Sequence, residues 1–162
     1  MRASAFLPRS KSKTVFVIVM ASYTLAAAGL IGTVATAFGA QRPPMGMFLK
    51  RGYPTLEVIS LVVLAPIIES LILIGIIELL RWLRSPTWLQ ITCSATIAVF
   101  LHLPISMALV VAPGWFIMAA AYLMWRRASR TISFVIIASI HALLNLYPAI
   151  LAITYTVNHA NA

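Results

Sequence analysis

The stretch TLEVISLVVLAPIIESLILIGIIELL, residues 55–80, decides the fold class. Its only charged residues are Glu57, Glu69 and Glu78, which are also the only acidic residues in the chain. A helix of about 20 apolar residues crosses a bilayer, and this stretch is longer than that and apolar on every side. Four further runs resemble it: residues 14–40, 87–103, 105–125 and 131–157. Pro104 ends the third, because proline lacks the N–H and crowds the preceding turn. Pro113-Gly114 interrupts the fourth, so its helix is expected to begin near Gly114, and Pro148 is expected to kink or break the fifth. The expected fold is all-α, a polytopic transmembrane helix bundle of about five spans. Residues 1–54 form a basic segment, a first anchor and a hydrophilic linker, and residues 55–162 the membrane core.

Composition agrees with this. Of 162 residues, 62% are hydrophobic and 9% charged, and the mean hydropathy is +0.99. Soluble domains run at about 45–50% apolar and about 25% charged. The absence of Asp argues against phosphoryl-transfer sites, which hold Mg²⁺ on acidic side chains. With Cys93 the only cysteine, no disulfide closes within these residues and no multi-cysteine zinc site is available. The net charge of +9 does not indicate nucleic acid. The basic residues lie in short clusters between apolar runs, as in a multi-spanning protein.

Those clusters also give an orientation. With five spans and the N-terminus inside, nine Lys and Arg fall on inner segments and three (Arg42, Lys50, Arg51) on outer ones. The positive-inside rule then favours N-in and C-out. Ala35-Thr36-Ala37 mimics a signal cleavage site. The apolar run before it is nearer 20 residues than the usual 7–15, so an uncleaved anchor is expected.

Ionisable groups inside apolar spans cost several kcal/mol and mark function by default. Glu57 lies near Lys50 and Arg51, and Glu78 precedes Arg81 by one helical turn. Both are therefore expected to be structural. Glu69 lies in mid-span, His102 in the next span, and His141 and Asn145 in the last. His141 and Asn145 are four residues apart and share a helix face. Counted from the inner helix ends at about 1.5 Å per residue, Glu69 lies about 18 Å deep, His102 about 22 Å, His141 about 15 Å and Asn145 about 21 Å. A carboxylate, two imidazoles and an amide at similar depth are expected to form one site.

The residues in and around that site resemble a known family. Ala65-Pro66-Ile67-Ile68-Glu69-Ser70 with Gly75 is similar to the first motif, A-P-I-x-E-E-L-x-F-R-G, of the CPBP proteins. These are the CAAX-processing and bacteriocin-processing (Abi) intramembrane proteases. The segment from Ser94 to His102 resembles their F-x-x-x-H motif, and His141-Ala142-Leu143-Leu144-Asn145 their H-x-x-x-N. Three positions depart: Ser70 replaces the second Glu, Ile74 the Arg, and Ala98 the Phe. The resemblance covers roughly residues 60–150. It implies peptide-bond hydrolysis in the membrane, with Glu69 and His102 activating water and His141 and Asn145 stabilising the oxyanion.

That scheme needs no cofactor. A His₂Glu zinc site through Glu69, His102 and His141 is the alternative within the enzyme class. The implied substrate is a membrane-bound, lipidated or exported protein or peptide, the implied surroundings are the lipid bilayer, and nucleic acid is not an expected partner. Two further classes stay open. One is a non-catalytic membrane protein with an immunity or partner-binding role, to which the three departures point. The other is a small proton-coupled transporter using Glu69, which leaves the His141/Asn145 pair without a purpose.

Overall fold

The structure, a computed structural model, describes residues 12–39, 54–101 and 105–160. His102, the basic residues Arg2, Arg9 and Lys11, and most of the linker with Arg42, Lys50 and Arg51 lie outside the described residues. The chain is all-helical, with no strand among the described residues. Its elements are α1 (Lys13–Ala37), α2 (Pro54–Ile59), a π-helical turn (Ser60–Leu64), α3 (Ala65–Trp82), α4 (Thr87–Leu101), α5 (Ile105–Trp125) and α6 (Arg130–Ala160). α2, the π turn and α3 form one continuous rod, so the bundle consists of five rods.

Among the described residues, four rods are long and apolar enough to cross a membrane: Lys13–Ala37, Leu56–Trp82, Ala108–Trp125 and Arg130–Leu151. α4 has 15 residues, about 22 Å at helical rise, which is short of the roughly 30 Å hydrocarbon core. α5 is the central helix. Half of its spanning window is buried, and it packs on α1, α4 and α6. The core draws Met20 from α1, Ile77 from α3, Ala95 from α4, Met118 from α5 and Ile137 from α6.

One proline expectation is corrected, and for the other the structure excludes a break. α5 does not begin near Gly114 but at Ile105, and it runs through Pro113. α6 is not broken at Pro148 and continues to Ala160. Each proline forfeits one backbone bond, to the carbonyl four residues earlier. A helix in lipid has no better option, because breaking would expose several more polar groups to hydrocarbon. Gly114 follows its proline for a separate reason. A Cβ there would meet Thr24 Cγ2 at 3.2 Å and Leu144 Cδ1 at 3.3 Å. A residue without a side chain lets α1 and α6 close on α5.

Helix directions follow from contacts at one end of the bundle. Phe16, near the start of α1, stacks edge-on against Trp125 at the end of α5, with centroids 5.6 Å apart. Glu78, near the end of α3, meets Arg126 just past α5 and Arg130 at the start of α6. The start of α1 and the ends of α3 and α5 therefore share one end with the start of α6. A tight turn, with Arg84 at φ 58° and the Ser85 N–H on the Leu80 carbonyl, sends α4 back from that end. α4 must return the chain to the far end so that α5 can come back. The five described rods therefore alternate in direction, and the α1 start and α6 finish lie at opposite ends of the bundle.

Candidate functional site

Glu69 projects from the first turns of α3, and His141 and Asn145 from the middle of α6. The His141 Nε2 lies 3.5 Å from Glu69 Oε2. His141 is buried, while Glu69 keeps 28% of its side chain accessible, enough to meet a small molecule. Trp115 of α5 packs edge-on against the imidazole at 5.8 Å and 68°. It is itself buried, so the ring is braced on one side and faces a carboxylate on another. Trp115 had no signal in the sequence beyond following Pro113-Gly114.

Asn145 has a different immediate partner. Its Nδ2 donates to the Leu61 carbonyl at 2.8 Å, within the π turn, and local chemistry explains why that carbonyl needs a donor. The Ala65 N–H bonds the Ser60 carbonyl, five residues back. In that register Leu61 would look to residue 66, and Pro66 has no N–H. Its α-helical partner, Ala65, is already committed to Ser60. The amide side chain of Asn145 supplies the missing donor, as a carbonyl in hydrocarbon requires. Pro66 and Asn145, in two separate motifs, thus serve one hydrogen bond. Nδ2 carries two hydrogens, and this bond uses one. Inserted π turns recur at functional sites, and this one adjoins the Glu69 helix.

The structure brings together Glu69 and His141, and sets Asn145 one turn further along α6. His102, the fourth predicted residue, lies outside the described residues. Ser70 is buried, and its Oγ has no hydrogen-bond partner among the described residues. Ile74, one turn on, is partly buried against the core. Among the described residues no three His, Cys, Asp or Glu side chains group as metal ligands.

Glu78 is structural, as expected, but through more partners than its own helix offers. It does approach Arg81, at 3.9 Å, but its main partners come from other helices. It accepts from Tyr122 Oη at 2.8 Å, from both Nε and Nη2 of Arg126, and lies 3.6 Å from Arg130. The contact with Glu78 holds the Arg126 pKa above its usual value. Glu78 is therefore a clasp joining α3, α5 and α6. Glu57 is half-buried, with its Oε2 lacking a partner among the described residues.

Among known protein families, characterised proteins and solved structures, none matches this chain. Its function must be argued from its own side chains.

Proposed function

We propose that the protein is an intramembrane endopeptidase that hydrolyses a peptide bond of a membrane-associated, lipidated or exported protein or peptide. The observation that carries this is the approach of Glu69 to His141, 3.5 Å apart between α3 and α6, with Asn145 one turn away. In this scheme Glu69 and His102 hold a water and Glu69 takes its proton as the oxygen attacks the scissile carbonyl. His141 and the second Nδ2 hydrogen of Asn145 donate to the developing oxyanion, where one donor is worth about 2.7–4 kcal/mol. Glu69 then returns the proton to the leaving amine as the C–N bond breaks. The motifs resembling those of the CPBP proteins support the same roles.

A metal-assisted variant uses the same residues. Zinc bonds of about 2.0–2.1 Å at a tetrahedral angle put two ligand atoms about 3.3 Å apart, close to the Glu69–His141 separation. Zinc held by Glu69, His102 and His141 would polarise the carbonyl and acidify the water. Loss of cleavage with a chelator and its rescue by zinc would select that variant.

The orientation belongs to the same proposal: N-in and C-out in a bacterial cytoplasmic membrane. Arg81, Arg126, Arg130 and Lys13 gather at one end of the bundle, which supports that end facing the cytoplasm.

The test is to compare peptides in membranes carrying the wild type and Glu69→Gln. Precursors should accumulate with Glu69→Gln, His102→Ala and His141→Ala, each still present in the membrane, and to a lesser degree with Asn145→Ala. Full processing by Glu69→Gln would remove the protease reading. It would leave a non-catalytic partner-binding role, which the structural bond from Asn145 to Leu61 favours.

A further inference from the structure

A groove separates the first turns of α1 from α6. It has a volume of about 640 Å³, within the range of ligand clefts, about 300–1,000 Å³. Its lining is graded along its length, with Ser139 the one polar residue inside the trough. Lys13, Thr14 and Thr131 stand at the mouth, while Ile132, Val135 and Leu146 line the trough. From Thr131 to Leu146 is 15 residues of α6, about 22 Å, against about 15 Å for one leaflet of the hydrocarbon core. Val135 and Ile18 are each 54% exposed, so the trough opens sideways toward lipid.

The charge at the mouth has one sign. Lys13 is exposed and lines the groove, and Arg127 and Arg130 precede Thr131 in the chain without lining the groove. No acidic residue lines the groove. Glu78, the carboxylate held near Arg130, is already engaged by Tyr122 and Arg126. A cation and two hydroxyls above a membrane-deep apolar trough match a phosphate joined to an acyl chain.

We propose that this groove binds an anionic phospholipid, its phosphate on Lys13, Thr14 and Thr131 and one acyl chain along Val135 to Leu146. The net negative headgroup answers the basic mouth, and the trough takes a chain as long as one leaflet is deep. This site is separate from the Glu69–His141 pair and does not depend on the proposed activity.

The test uses native mass spectrometry of the full chain, released from detergent with dioleoyl phosphatidylglycerol or dioleoyl phosphatidylcholine. Phosphatidylglycerol should be retained in preference. Lys13→Gln should reduce that preference about fivefold, the effect of the roughly 1 kcal/mol that one lysine contributes near an anionic surface. Val135→Trp should weaken both lipids by filling the trough. Ile18→Trp, on the opposite wall, should do the same, and circular dichroism identifies any variant that fails to fold. Equal retention of the two lipids, or an unchanged preference in Lys13→Gln, overturns the proposal. So does displacement of phosphatidylglycerol by glycerol 3-phosphate at equal concentration, which would mark a plain phosphate site. Unchanged retention in both folded Trp variants would place the lipid, or any other occupant, elsewhere.

Discussion

At the residue scale, Asn145 has two possible duties, and its bond to Leu61 makes them separable. Asn145→Leu should leave the Leu61 carbonyl without a donor and cost about 1–3 kcal/mol. Pro66→Ala restores a backbone N–H at the position Leu61 would use. In that background Asn145→Leu should cost at least about 1 kcal/mol less, a coupling that thermal unfolding in detergent across the four-member cycle measures. Simple addition of the two losses would mean that Pro66 does not create the need for Asn145. Activity gives a second readout. Processing that stays lost in the double variant identifies Asn145 as an oxyanion donor, and processing that returns identifies it as structural. Glu78 calls for a firmer prediction than its position near a span end suggests. Glu78→Gln removes the charge facing Arg126 and weakens bonds worth about 1.5–3 kcal/mol each to a charged group. The melting temperature in detergent should fall. Glu78→Gln with Arg126→Gln should recover part of the loss, because the half-buried Arg126 guanidinium is then no longer left without its counter-ion.

At the element scale, the unusual parts are the π turn and the Pro113-Gly114 pair. The π turn shifts the hydrogen-bond register of the rod before Glu69, and without it Leu61 would have no reason to face Asn145. Gly114 fixes how closely α1 and α6 approach α5. Gly114→Ala pushes a methyl against Thr24 and Leu144. Thr24 cannot readily give way, because it is buried, β-branched and bonded through Oγ1 to the Met20 carbonyl at 2.9 Å. Overpacking of this kind costs about 1–3 kcal/mol, so Gly114→Ala should lower the unfolding midpoint, and Gly114→Val should lower it further. A neutral Gly114→Ala would show that α1 slides freely on α5.

At the scale of the whole molecule, the five described rods alternate in direction, and each is expected to make one pass. α4 is short for a span, yet it must return the chain to the opposite end. Reporter fusions after residues 47, 85, 103, 128 and 162 are expected to report outside, inside, outside, inside, outside. A C-terminal fusion that reports the same side as the N-terminus would rule out the odd number of passes. The basic residues at the shared end also repel one another. Glu78 relieves part of that repulsion inside the protein, and an anionic lipid at the neighbouring groove would relieve more from outside.

The sequence alone determined that the chain is helical and where most of its helices lie. Hydrocarbon leaves the backbone no outside partner, so long apolar runs have to be helices whatever packs against them. It also determined that His141 and Asn145 share a face, because the spacing along one helix is set by that helix's own geometry. Contacts between helices were a different matter. Asn145 meets Leu61 across 84 residues, and Arg126 meets Glu78 across 48. The choice of partner depends on how each helix is rotated and how closely it packs, and nearly uniform apolar faces encode neither locally. The closeness of α1 and α6 to α5 at Gly114 was likewise a tertiary outcome, since only the packed bundle brings Thr24 and Leu144 against it.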